Sequence, residues 1–238
     1  MPLDLNASLV ELTLGLCNIE SVSGNEKQLA DEIEAALKSL PHLKVSRDGN
    51  AVIAATNQNL PSRVIIAGHI DTVPVANNLP AELHHFEREQ AIVGRGTVDM
   101  KGGIAVMLKL ALELDSPKHD ITWIFYDNEE VASDLNGLGR ISRNTPEVLS
   151  GDFAVLCEPT SALIEGGCNG TMRVELESKG VKAHSARPWM GKNAIHGLSE
   201  ALATLSSFEP ETITVDGLEY RESLNAVVVS GGIAVSYT

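Results

Sequence analysis

The sequence predicts an α/β fold: a sheet with helices packed on both faces, followed by a smaller α+β region. Three observations predict it. Short, nearly continuous apolar runs ("SRVIIAGHIDTVP", "DITWIFYD", "DFAVLCEP") suit strands covered on both faces. Helical apolar periodicity lies between them, as layered α/β folds require. After "EGGCNG", Glu165 to Gly170, the pattern changes to the apolar–polar alternation of a strand with one wet face. We therefore place a larger domain at residues 1–170 and a smaller one at 171–238.

Taken in order, Leu9, Leu12, Leu16 and Ile19 recur at helical spacing. "SGNE", Ser23 to Glu26, has the form of a capping box for a second helix with the apolar face Leu29, Ile33, Leu37 and Leu40. "KVSRDGNAVIAAT" reads as two strands about an Asp48–Gly49 turn. Met100 to Leu114 is helical in pattern. In the second region "TMRVELESKG", "ETITVDG" and "LNAVVVSGG" read as strands, with a helix over about Asn193 to Leu205.

The chain has 238 residues and a net charge of −14, which argues against nucleic acid or an anionic membrane surface as partner. No apolar run reaches the ~18 residues of a membrane helix. The N-terminus has no basic segment ahead of its apolar residues, as a signal peptide would. Cys17, Cys157 and Cys168 are few, odd in number and not spaced as metal ligands. Together these predict a cytoplasmic protein with reduced thiols.

Polar residues gather where the apolar strands end, the edge at which open α/β sheets bind ligands. His69 and Asp71 follow Val64–Ala67, Glu129 and Glu130 follow Ile121–Tyr126, and Glu158 follows Phe153–Leu156. Asp99 sits in "GRGTVDMKGG", a glycine-rich turn before a helix. Singly, each has a plain structural reading: Asp71 and Asp99 as turn or cap residues, Glu158 as a loop acid, His69 as a hydrogen-bonded histidine. Jointly, one imidazole and several carboxylates suit a dinuclear zinc-like site with a bridging carboxylate. The H-x-D spacing lets Asp71 hold the ring N–H of His69 that faces away from a metal. "GRGTVDMKGG" is neither G-x-G-x-x-G nor a phosphate loop, so nucleotide binding is not expected.

"GHIDTVP", "GRGTVDMKGG", "DNEEV" and "CEPT", in this order and spacing, resemble the dimetal amidohydrolase/aminopeptidase family (peptidase family M20) over nearly the whole chain. The resemblance implies a zinc-aminopeptidase-like mixed sheet in residues 1–170 and a partial lid and dimerisation domain in 171–238. It implies two divalent ions, zinc or alternatively cobalt, with His69 and Glu158 on one, Glu130 on the other and Asp99 bridging. Asp71 would orient His69, Glu129 would be the general base, and His184 in "KAHSARP" would stabilise the oxyanion from a partner subunit of a homodimer. It also implies a cis peptide between Asp99 and Met100.

"FYDNEEVASDLNGLGR" and the stretch from "EGGCNG" to "KNAIH" are most similar to the branch that removes succinyl groups from diaminopimelate. That implies a small N-acylated amino acid as substrate, in lysine and cell-wall biosynthesis. Deacetylation of another N-acyl amino acid and dipeptide cleavage are the related alternatives. The family continues past "GGIAV" with an Asn-x-Ile-Pro stretch and a segment carrying a sixth ligand, which "SYT" does not match. The resemblance thus leaves open a shortened product that binds metal without catalysis.

Overall fold

Helix α1 (Leu9–Cys17) starts from a capping box that the sequence reading did not single out. The Ser8 hydroxyl accepts the Glu11 N–H at 3.2 Å, and the Glu11 carboxylate accepts the Ser8 N–H at 3.0 Å, so two orphan donors of the first turn are satisfied. Helix α2 (Lys27–Lys38) has no such cap, contrary to expectation. Gly24 takes a left-handed φ of +87°, so a helix cannot begin there and Ser23 cannot act as its N-cap. Glu26 accepts the Gly24 N–H at 2.7 Å and an Asn50 amide N–H at 3.1 Å instead. The apolar face Leu29, Ile33, Leu37 and Leu40 is buried as its periodicity predicts.

A computed structural model describes residues 2–87 and 89–232, in two compact units that divide between Leu163 and Ile164. In the first unit β1 (Lys44–Asp48) and β2 (Ala51–Ala55) flank a turn at Gly49–Asn50, one residue later than expected, where Gly49 has φ +59°. β3 (Arg63–His69) follows, and then a separate hairpin, β4 (Glu82–His85) with β5 (Gln90–Val93), which the sequence reading did not anticipate. An irregular turn, Thr97–Lys101, with Asp99 and Met100 outside helical geometry, feeds α3 (Gly102–Glu113). The Asp99–Met100 peptide is cis. β6 (Asp120–Tyr126), α4 (Gly137–Asn144) and β7 (Phe153–Leu156) complete the unit.

The strands form one mixed sheet in the order β1-β2-β6-β3-β7. β1–β2 and β2–β6 are antiparallel, whereas β6–β3 and β3–β7 are parallel. Alternate strand residues divide between two cores, as a side-chain period of two dictates. Val52, Ala54, Ile66, Trp123 and Phe125 pack with Leu16, Ile33, Leu37, Ile104 and Leu108 of α1, α2 and α3. Ile53, Ile65, Ala67, Ile124 and Tyr126 pack with Ile141 of α4 on the other face. Every residue of the central β6 is buried. β7 departs from expectation: all four residues are exposed, since none of them joins either core, and β3 is its one partner strand among the described residues.

The second unit carries α5 (Ser199–Ser206) and a hairpin of β8 (Thr212–Val215) with β9 (Leu218–Arg221). Asp216 and Gly217, both at positive φ, close it in the two-residue form that matches strand twist. β8 was expected and β9 was not. The helix begins later than expected, after a tight turn at His196–Leu198. "TMRVELESKG" and the last expected strand, "LNAVVVSGG" at 224–232, are not strands, because neither has a hydrogen-bonded partner strand among the described residues. Residues 233–238, which include the "SYT" expected to depart from the family pattern, lie outside the described residues.

Candidate metal centre

Parallel pairing of β3 with β6 and β7 brings three strand ends to one edge of the sheet. The register sets His69 opposite Tyr126, and Ala67 opposite Leu156 two residues before Glu158. The turn before α3 delivers Asp99 to the same place. His69 is 1% exposed, with Nε2 at 3.0 Å from Asp99 Oδ1 and 3.8 Å from Glu158 Oε2. His69, Asp99 and Glu130 each offer one ligand atom, all within 4.8 Å of one another. Glu129, exposed, and Glu158, half-buried, stand at the rim of this group.

The other ring nitrogen of His69 faces Asp71, but not chiefly in the expected way. Nδ1 donates to the main-chain carbonyl of Asp71 at 3.0 Å, and the Asp71 carboxylate is farther, at 3.4 Å. That carboxylate is fully buried and mostly occupied elsewhere. Oδ1 accepts the Glu129 N–H at 3.0 Å. Oδ2 accepts the Glu130 N–H at 3.1 Å and the Ser23 hydroxyl at 2.7 Å. Asp71 therefore anchors the backbone that carries both glutamates. Ser23, expected as a helix cap, serves this carboxylate instead, and no local pattern in the sequence distinguishes the two uses.

The electrostatics follow from this crowding. Burial pulls the His69 imidazole down, but hydrogen bonds to Asp71 and Asp99 and the nearby charge of Glu158 outweigh it and raise it to about 9. Burial and the Asp99 charge push Glu130 and Glu158 above the usual carboxylate range, against the pull of His69. Asp71 is held below that range: burial raises it, but His69, the two glutamate N–H groups and Ser23 win. Carboxylates in excess of cations, partly buried around one imidazole, are the chemistry of a divalent-cation site, and these donors fit one. Lys101 is buried just beyond Asp99 and donates to the Ile19 carbonyl at 2.8 Å, so its charge is turned away into the protein.

His184 lies in the second unit, exposed, where its Nδ1 accepts the Ala186 N–H at 3.1 Å. No helix among the described residues is long and apolar enough to cross a membrane.

A succinyl-diaminopimelate desuccinylase of Corynebacterium glutamicum is 48% identical over 98% of this chain and 63% of its own length. A Mycobacterium tuberculosis protein with a provisional form of that name is 50% identical over 98% of this chain and 65% of its own. The chain thus spans just under two thirds of the length of these relatives. Among solved structures, a Staphylococcus aureus tripeptidase superposes with a TM-score of 0.64 at 19% identity, over 96% of this chain and 62% of that one. A Bacillus cereus aminopeptidase superposes at 0.56 and 16% identity, with the same coverage. These two share the fold. Residues 65–229, from β3 and its histidine through most of the second unit, match the profile of Peptidase family M20/M25/M40, and the chain belongs to that family.

Proposed function

We propose that the protein hydrolyses the amide bond of N-succinyl-LL-2,6-diaminopimelate to succinate and LL-2,6-diaminopimelate, as a cytoplasmic enzyme. The observation that carries this reading is the 48–50% identity, over 98% of the chain, to relatives named for that activity. The donor cluster of His69, Asp99 and Glu130 with Glu158 beside it supports the metal-dependent chemistry.

In this reading His69 and Glu158 would hold one divalent ion, Glu130 would hold a second and Asp99 would serve both, with zinc or cobalt as the metals. When bound, such a pair polarises the amide carbonyl and makes water more acidic. The chain supplies the rest. Glu129 takes a proton from the attacking water and returns it to the departing amine nitrogen. Asp71 fixes the His69 ring and, through two N–H groups, the aim of both glutamates. His184, from the second unit of a partner in a homodimer, donates to the oxyanion as charge develops there.

The test offers purified, zinc- or cobalt-loaded protein N-succinyl-LL-2,6-diaminopimelate, N-acetylornithine and a dipeptide panel, and measures free amine. The expected result is a kcat/KM at least tenfold higher for the succinyl substrate. Preference for an N-acetyl substrate or a dipeptide would replace this reading with another activity of the family.

A further inference from the structure

We propose that Arg140 is a positioning residue for the acid pair Glu129–Glu130, acting through Asp127. The inference rests on the reading of that pair given above. Two residues before Glu129, Asp127 is 3% exposed and receives the Arg140 fork on both oxygens, Nη1 to Oδ2 at 3.1 Å and Nη2 to Oδ1 at 2.6 Å. The same guanidinium reaches the β1–β2 turn, donating from Nε to Asp48 Oδ1 at 2.9 Å and from Nη2 to the Asp48 carbonyl at 2.8 Å. Arg140 thereby ties three separate segments together: α4, the β1–β2 turn and the end of β6.

The surroundings leave this clamp little slack. Gly137 donates its N–H to the Asp127 carbonyl at 2.8 Å, and a Cβ there would lie 2.6 Å from Asp127 Oδ1 and 2.8 Å from its carbonyl oxygen. Gly49 lies against Arg140, where a Cβ would come within 2.9 Å of Nη2. The next residue, Asn128, turns the chain with φ +58° and donates its amide N–H to Asp127 Oδ2 at 2.9 Å. After that turn the Glu129 and Glu130 N–H groups meet Asp71. The short acid loop is thus held at two points, Asp127 by Arg140 and its own N–H groups by Asp71. A planar fork on a carboxylate fixes orientation as well as distance, which a lysine cannot do.

The test reads the loop before it reads activity. Amide hydrogen exchange is measured on metal-free Arg140→Gln, Arg140→Lys and, as a control on the same helix, Arg143→Gln. We expect exchange at Glu129 and Glu130 to rise at least tenfold in Arg140→Gln, less in Arg140→Lys and not in Arg143→Gln, with β3 amides unchanged. On titration with cobalt alone, the second equivalent should bind Arg140→Gln about tenfold more weakly, in line with the loss seen when groups supporting a metal ligand are removed. Asp127→Asn combined with Arg140→Gln should be no worse than the worse single change, because both act on one link. Exchange at the two glutamates within twofold of the parent, or an equal rise across β3, would overturn the proposal. If Arg140→Gln does not fold, Arg140→Lys decides: behaviour equal to the parent overturns it. Exchange is measured without metal or substrate, so a parent protein that fails to release succinate would sink the functional reading and leave this result standing.

Discussion

Asp71 does more than its position in H-x-D announces. Its carboxylate collects two backbone N–H groups and a hydroxyl, and its own carbonyl takes the His69 ring. An asparagine in its place keeps one acceptor oxygen and turns an NH₂ toward a donor, leaving at least one buried N–H unpaired. We predict that Asp71→Asn lowers turnover about 10–100-fold, the scale usual for a group that supports metal ligands, with the protein still folded. Steady-state kinetics beside circular dichroism checks this, and turnover within twofold of the parent would show that Asp71 positions nothing. Ser23 carries a smaller share, since Asp71 keeps both N–H donors without it.

At the level of elements, the helix starts and the entry to β6 give separate tests. Ser8 caps α1 and Ser23 caps nothing, so Ser8→Ala should cost about 0.5–2 kcal/mol of stability and Ser23→Ala less, by denaturant unfolding. A Ser8→Ala variant as stable as the parent would contradict the cap at α1, whereas a larger loss in Ser23→Ala would report the hydroxyl's bond to Asp71 and not a cap. Asp120, buried at the start of β6, accepts the Thr56 hydroxyl and the N–H groups of Gln58 and Leu60 at 2.6–2.9 Å. Burial raises this carboxyl, but the three hydrogen bonds, with the charge of Arg63, hold it below the usual range. A carboxyl depressed in the folded state stabilises above its unfolded value, about 3.9, and loses that contribution as pH falls through the folded one. Asp120→Asn should therefore melt a few degrees lower at pH 7, and the gap should narrow as pH falls below about 3.9. A gap that stays constant with pH would contradict the charged assignment.

These elements also show what sequence carries. The face of α2 was legible because burial follows a helical period, and β6 because a continuous apolar run marks a strand covered on both faces. The cap at Ser23 was misread because residue types reveal nothing of the positive φ at Gly24. β7 was misjudged because an apolar run records hydrophobicity and not what covers it. The alternating stretch 171–180 had a strand's pattern, but strand pairing depends on residues far away in sequence.

Across the whole molecule, the site was more legible than its supports. The convergence of His69, Glu130 and Glu158 was readable because parallel strands deliver their ends to one edge, a rule of topology, and Asp99 joins them from the turn before α3. The clamp from Arg140 to Asp127 and the bond from Ser23 to Asp71 link positions 13 and 48 apart in the chain, and no local pattern announces them. The account's central claim is a division of labour between two adjacent glutamates, one holding metal and one moving a proton. Metal content and turnover of N-succinyl-LL-2,6-diaminopimelate, measured side by side on the parent, Glu129→Gln and Glu130→Gln, test it most directly. The account predicts that Glu129→Gln keeps the parent's metal content and loses at least about 100-fold in kcat, within the range that general bases contribute. Glu130→Gln should lose metal first and activity with it. Glu129→Gln retaining more than about a tenth of the turnover, or Glu130→Gln binding metal as the parent does, would contradict it.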